Sequence, residues 1–384
     1  MRIKDIREFP VSLSNPMSNA GISFLEMTAS AVAIDIDADA KGVVTGYGFS
    51  SVGRYAQSGL IAERFSPRLL ATGNVQGADG GLDPIRGWHA MMANEKPGGD
   101  GDRAGAVGVL DMALWDAAAK VEGVPLWQLL SDRYNEGCYH ERIPVYATGG
   151  HYYRDGNSQA LKDEIKGYLD QGYDRIKIKC GQGDLAEDRA RIESVLPLLN
   201  DQGSRLAVDV NCICSTSGAI QELADAYTPY GLAWIEEPVH PHNFELLTVL
   251  TNYYDGPVAT GENLFSMSET YNLLSYGGLR PDRDLIQVDP ALSYGMAEYA
   301  SIIRMAEAAE WSRSQMVPHA GHLFAYHAVA GLQLGAHEIA ARPDFILGGL
   351  QSDVEIVDGA GSLPQSPGIG FETHSQLWAV LKDL

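Results

Sequence analysis

Three acidic residues recur at nearly constant spacing through the middle of the chain: Asp209, Glu236 and Glu262, 27 and then 26 residues apart. Their contexts are Val208-Asp209-Val210-Asn211, Trp234-Ile235-Glu236-Glu237-Pro238 and Thr260-Gly261-Glu262-Asn263. Carboxylates ending three neighbouring strands lie about 4.8 Å apart per strand. At that separation they repel strongly unless a cation neutralises them. An oxygen-only donor set suits Mg²⁺ or Mn²⁺ rather than Zn²⁺. Any one of these acids alone would be read as a cap or a solvated side chain; three in phase point to a metal centre.

Thirty residues before Asp209 stands Lys179, in Lys177-Ile178-Lys179. Strand alternation puts both lysines on one face, with Ile176 and Ile178 on the other, helix-covered side. Two neighbouring ammoniums lower each other's pKa, as a lysine base working near neutral pH requires. Asp289 lies 27 residues beyond Glu262, and a histidine pair follows in Pro318-His319-Ala320-Gly321-His322-Leu323. An aspartate beside a histidine orients the ring and supports its charge. We read His322 as the second acid/base and His319 as its rival, in a structural or supporting part. Cys212 and Cys214 match no zinc spacing and read as small pocket-wall residues.

These side chains need a scaffold that brings successive strand ends to one point. From about residue 143 short β-rich runs alternate with amphipathic helical stretches. The strands read are Ile143–Ala147, Arg175–Cys180, Leu206–Val210, Leu232–Glu236, Val258–Gly261, Leu285–Val288 and Gln315–Pro318. Between them lie helical patterns such as Leu161, Ile165, Tyr168, Leu169 and Ile220, Leu223, Ala224, Tyr227. Repeated strand–helix units make parallel strands with right-handed crossovers. One polar residue per unit at the strand end predicts a closed barrel with its site at the C-terminal mouth. Residues 1–55 read as an antiparallel meander, residues 103–120 as a buried alanine-rich helix, and Asn94–Gly101 as a loop. The fold class predicted is α/β. The expected divisions are an N-terminal α+β unit over 1–125, a barrel over 140–345 and a C-terminal segment over 346–384 that returns to the first unit.

Composition narrows the partners. Lys+Arg total 28 against 50 Asp+Glu, a net charge of −22. Such a chain repels nucleic acid and anionic membrane, yet admits a small anion where a cation sits in the pocket. The start shows no apolar leader core, and no run approaches 18 apolar residues. Four cysteines do not make a disulfide framework. A soluble, reduced, cytoplasmic protein is expected.

The ordered set K-x-K, D-x-N, E-E-P, G-E-N, Asp289 and His322 resembles the enolase superfamily, in its mandelate racemase-like branch, over essentially the whole chain. That resemblance implies a modified TIM barrel, (β/α)7β, with an N-terminal α+β capping domain and a C-terminal tail completing the cap. It implies Mg²⁺ on Asp209, Glu236 and Glu262, Lys179 as base with Lys177 as its helper, and His322 supported by Asp289. It implies alpha-proton abstraction from a small carboxylate through an enediolate, and a homo-oligomer. Within the branch the chain is most similar to the D-tartrate dehydratases, through Gly53-Arg54-Tyr55, Asn94-Glu95-Lys96-Pro97-Gly98-Gly99, Tyr276-Gly277-Gly278-Leu279-Arg280-Pro281-Asp282-Arg283-Asp284, Ala291-Leu292-Ser293-Tyr294-Gly295 and Pro367-Gly368-Ile369-Gly370-Phe371. The implied activity is a hydro-lyase of a hydroxy acid or acid sugar, with D-tartrate the candidate substrate and a 2-keto acid the product. Lys96 is the implied ligand of the substrate's distal carboxylate, and Asn211, Glu237, Ser50 and Arg54 are further substrate-binding candidates. The pattern departs where this chain has Ser50 and Val52 in place of asparagines, at Cys212-Ile213-Cys214, at Pro238 and at Leu323-Phe324. The alternatives are a racemase or epimerase using the same Lys/His pair, and a non-catalytic acid-binding barrel.

Overall fold

The computed structural model describes residues 1–384 except 14, 16, 52, 154–157, 343 and 344, so Val52 lies outside the described residues. The N-terminal part is a three-stranded antiparallel sheet of Arg2–Ser12, Thr28–Asp37 and Val43–Phe49, with Thr28–Asp37 in the middle. The middle strand is buried along nearly its whole length because a helix covers it. That helix, Asp102–Glu122, is buried on all sides, which explains its small alanine-rich residues and lack of a polar face. A Cβ added at Gly46 would lie 2.0 Å from the Ala113 carbonyl, so strand and helix backbones touch there. On the helix's opposite side, a Cβ at Gly108 would lie 1.9 Å from the Ala291 carbonyl, in the loop after the sixth barrel strand. The helix is therefore wedged between the N-terminal sheet and the barrel mouth.

The barrel strands are Ile143–Gly149, Ile176–Lys179, Leu206–Asp209, Ile235–Glu236, Val258–Thr260 and Leu285–Ile286, paired in parallel in that order. The seventh position is reduced to a single bridge, Ile286 to Met316, in place of the predicted strand Gln315–Pro318. Gly335 then bonds to the Met316 carbonyl. An eighth strand, His337–Ala340, which periodicity did not reveal, pairs with Ile143–Gly149 and closes the ring. Most of the other predicted strands are shorter than expected, Leu232–Glu236 shrinking to Ile235–Glu236, while Ile143–Ala147 extends to Gly149. The helices between them start at side-chain caps that the sequence supplies: Asp184, Thr216, Asn243 and Ser266 each accept from the first turn. Their apolar stripes, Leu161, Ile165, Tyr168 and Ile220, Leu223, Ala224, Tyr227, face inward as predicted. Together this is a modified (β/α)7β TIM barrel with an N-terminal α+β cap.

Inside the barrel, Tyr146, Ala207, Trp234, Ala259, Val317 and Ala336 form an apolar plug. Tyr146 and Trp234 meet edge to face at 5.1 Å. The plug fills the barrel beneath the polar residues, which face the C-terminal mouth. The C-terminal segment runs back to the cap: the Ile369 N–H donates to Asp116 Oδ1 at 2.7 Å on the wedged helix.

Two predictions test this arrangement. Gly108→Ala should cost about 1–3 kcal/mol through overpacking, measured by urea denaturation, whereas Gly59→Ala, which meets nothing within 4 Å, should cost far less. The second concerns His327, whose Nδ1 accepts from the Trp127 N–H and whose Nε2 then donates to the Ile369 carbonyl. Burial pushes its pKa down to about 4 from 6.5. The folded state thus refuses a proton that the unfolded chain accepts below pH 6.5. Stability should fall as pH drops from about 6.5 to 4, by about 3 kcal/mol from this group. In His327→Gln, unfolding curves across that range should show a shallower pH dependence.

Candidate active site

Parallel register sets the site. Lys179 lies beside Asp209, and Asp209 beside Glu236, at one level of three consecutive strands. Glu262 follows the next strand by two residues. Donor oxygens of Asp209, Glu236 and Glu262 lie within 4.8 Å of one another. The set is oxygen-only, with Asp209 and Glu236 buried and Glu262 partly exposed, and Glu262 Oε2 has no hydrogen-bond partner. Burial raises the Glu262 carboxyl to about 8; the His319 cation opposes the rise, and Glu237, Asp209 and Glu236 reinforce it. A crowded carboxylate with an unanswered oxygen fits a hard divalent cation such as Mg²⁺.

Both lysines of K-x-K point into the barrel interior. Lys177 is paired with Glu236 and, at 2.9 Å, with Glu338. Lys179 is paired with Asp209. Burial would lower both pKa values. It is outweighed for Lys177 by Glu236 and Glu338, and for Lys179 by Asp209, so both stand raised. The mutual depression predicted from two adjacent ammoniums is present at Lys179 but loses to the nearer carboxylate. Glu236 is further held by Trp234 Nε1 at 2.9 Å and Gln287 Nε2 at 2.7 Å.

Above this layer is a cavity of about 230 Å³. Lys179, Glu262, His319 and Glu338 line it from the barrel, together with Asn211 and Glu237 from the candidate set. The N-terminal part contributes Asn19, Phe24 and Arg54. Asn211, Cys212 and Glu237 all have positive φ (48°, 62° and 47°), strain concentrated just past two ligand-bearing strands. Glu237 accepts from Thr260 Oγ1 at 2.6 Å, Asn263 Nδ2 at 2.9 Å and the Cys212 thiol at 3.1 Å. Cys212 thus lines the cavity as expected; Cys214 is buried away from it.

The two histidines stand differently toward the cavity. His322 is 1% exposed and absent from the cavity wall. Its Nδ1 accepts from the Ala325 N–H, capping helix Leu323–Leu332, which leaves Nε2–H to donate to Asp289 Oδ1 at 2.9 Å. With both nitrogens committed, it has none to exchange with a ligand. His319 does line the cavity, with Nε2 3.5 Å from Glu262 Oε2 and Nδ1 3.6 Å from Asp289 Oδ2. Burial would lower its pKa, but Glu262 first and Asp289 next push it up to about 9. Positive φ at Ala320 (81°) and Gly321 (65°) turns the chain between the two rings. Asp289 is fully buried and held well below the usual carboxylate range: burial, which would raise it, is outweighed by His322 and His319. Ser51 Oγ–H, from the cap, donates to its Oδ2 at 2.5 Å.

Two other candidates fall outside the cavity. Lys96 is exposed on its loop because Glu95 is drawn inward by Arg64, Arg68 and Arg103. Ser50 is fully buried, its Oγ accepting from the Ser30 N–H. Residues that sequence reasoning missed are Glu338, on the unrecognised eighth strand, and His151, Asn263 and Gln287. The recurrence of one polar residue per strand end, extended one unit further, would have pointed to Glu338.

Residues 160–377 match the family model described as enolase C-terminal domain-like. The 3,6-anhydro-alpha-L-galactonate cycloisomerase of Streptomyces coelicolor is 29% identical over 74% of each chain. The D-xylonate dehydratase of Haloferax volcanii is 27% identical over 88% of this chain and 82% of its own. Among solved structures, L-talarate dehydratase from Polaromonas sp. JS666, complexed with Mg and L-glucarate, matches with TM-score 0.75 at 28% identity, over 96% of this chain and 94% of that one.

One measurement checks the cation site. Glu262→Gln should raise the thermal midpoint of the metal-free protein, because it removes a largely buried, poorly compensated carboxylate. The same variant should lose the stabilisation that Mg²⁺ gives the parent, about 2.7 kcal/mol at a hundredfold excess over Kd.

Proposed function

The chain belongs to the enolase superfamily, and from that premise we propose that it is a Mg²⁺-dependent lyase that removes water from a hydroxy acid or acid sugar. The observation that carries the reading is the oxygen-only triad of Asp209, Glu236 and Glu262, whose Glu262 lines one cavity with Lys179 and His319. When bound by that triad, Mg²⁺ supplies positive charge against the substrate carboxylate as its alpha carbon gives up a proton. Lys179 Nζ, paired with Asp209 in this structure, would take that proton with Asp209 engaged as a ligand of the cation. Lys177 fixes Glu236 and Glu338 and keeps their charge from reaching Lys179 unopposed. His319, as its imidazolium, gives a proton to the beta-hydroxyl, which leaves as water while the alpha–beta double bond forms. Asp289 holds the imidazolium, and Ser51 and His322 hold Asp289. The enol then becomes a 2-keto acid. The apolar plug fills the barrel beneath these groups.

D-tartrate is one candidate within the class, carried by the stretches around Arg54 and Ala291–Gly295. Ser50 does not line the cavity and is fully buried, with its Oγ accepting from the Ser30 N–H. A second reading, racemisation or epimerisation, is favoured by the fact that both Lys179 and His319 face the cavity; it predicts alpha-deuterium exchange without keto acid.

The test is semicarbazide trapping of 2-keto acids from a panel of acid sugars and tartrate isomers. Lys179→Ala and His319→Asn should each lower turnover by at least about 10³-fold. His322→Asn should lower it by less, through loosened Asp289. Turnover lost with His322→Asn and kept with His319→Asn would return the acid to His322.

A further inference from the structure

The proposed chemistry uses one end of the substrate and leaves its other end unassigned. The relatives differ at that end: the D-xylonate enzyme acts on a monoacid, and the L-talarate enzyme was captured with L-glucarate, a diacid. This chain's wall carries a feature that separates the two. Besides Lys179 and His319, the cation lining the cavity among the described residues is Arg54. Its Nη2 donates to Asn263 Oδ1 at 2.6 Å, and its guanidinium lies 4.7 Å from the Phe265 ring centroid. Both partners are neutral, and no carboxylate lies within ion-pair distance among the described residues. By contrast, Arg64, Arg68, Arg103 and Arg280 all end on carboxylates. A half-buried guanidinium oriented by an amide and a ring retains N–H donors in a fork shaped for a carboxylate.

Its position suits the far end of a short chain. Asn263 accepts from Arg54, while its Nδ2 donates to Glu237 Oε2 at 2.9 Å and approaches Glu262 Oε1 at 3.4 Å. One amide side chain therefore separates the guanidinium from the nearest triad carboxylate. Gly53, at φ 87°, makes the turn that presents Arg54 to the cavity, and it lines the wall itself. Lys96, the ligand expected for this end, is outside.

We propose that Arg54 is the specificity-determining residue for a distal carboxylate, so that the substrate is an aldaric diacid rather than an aldonic monoacid. This rests on the acid-sugar reading of the site. Two acids identical except at the terminal carbon isolate the contact: glucarate against gluconate, galactarate against galactonate, tartrate against threonate.

The experiment measures binding to the Mg²⁺-loaded protein by calorimetry, and keto-acid formation in parallel, for the parent, Arg54→Met and Arg54→Lys. In at least one pair the parent should prefer the diacid by about 10- to 100-fold, the range of a hydrogen-bonded charge. Arg54→Met should bring that ratio near one, and Arg54→Lys should restore part of it. A parent that prefers monoacids, binds none of the diacids, or keeps its preference in Arg54→Met overturns the proposal. Arg54-dependent diacid binding without any keto acid would leave the proposal standing and sink the dehydratase reading. Monoacid turnover without diacid preference would do the reverse.

Discussion

Everything in this site follows from holding several carboxylates close together out of water. Asp209, Glu236, Glu262 and Glu338 crowd together at the barrel mouth, where like charges cannot all stay ionised without compensation. The protein answers with two lysines on one strand, Ile176–Lys179, and a histidine that follows the seventh strand position. Lys177 lies too deep to touch the cavity and has one task, neutralising Glu236 and Glu338. Lys179 and His319 sit at the rim, paired with Asp209 and near Glu262, on contacts that a cation would take over. With a cation on the triad, charge balance would shift from side chains to metal, and the two groups freed would be the ones to which the proposed chemistry assigns its protons.

That balance demands a rigid frame, and parallel register provides it. Residues one strand apart fall at one height, so Lys179, Asp209 and Glu236 align without long loops. The apolar plug of Tyr146 and Trp234 beneath them sets the height by filling the space below. Trp234 serves twice, since its indole N–H also fixes Glu236. The wedged helix Asp102–Glu122 transmits the cap's position to the barrel mouth through glycines where larger residues do not fit.

Much of this was legible in the sequence because barrel periodicity is coarse. A polar residue every 26 to 30 positions identified Lys179, Asp209, Glu236, Glu262 and Asp289 at once. Finer features were not legible, for definite reasons. His319 and His322 are both three or fewer residues from a turn, and only the positive φ at Ala320 and Gly321 decides which ring meets the cavity. His322 is spent as a helix cap, a role usually filled by Ser, Thr, Asp or Asn. Glu338 escaped because its strand is four residues long and follows directly on a buried apolar helix, with little contrast to mark a boundary. Lys96 misled because its neighbour Glu95, not the loop itself, decides which way the chain turns. The seventh strand was read in the right place, but its regular pairing shrinks to a single bridge.

The bond from Ser51 to Asp289 joins residues 238 positions apart. Ile369 to Asp116 spans 253. Contacts this distant in sequence close slowly, since a long loop must be ordered before they return anything. On the ribosome the first sheet emerges early but cannot settle against its partner until the sixth barrel strand has been made. The wedged helix waits longer, for the tail. The interval leaves the alanine-rich apolar helix without its final cover from barrel and tail, so folding of this chain should pass through states that expose apolar surface.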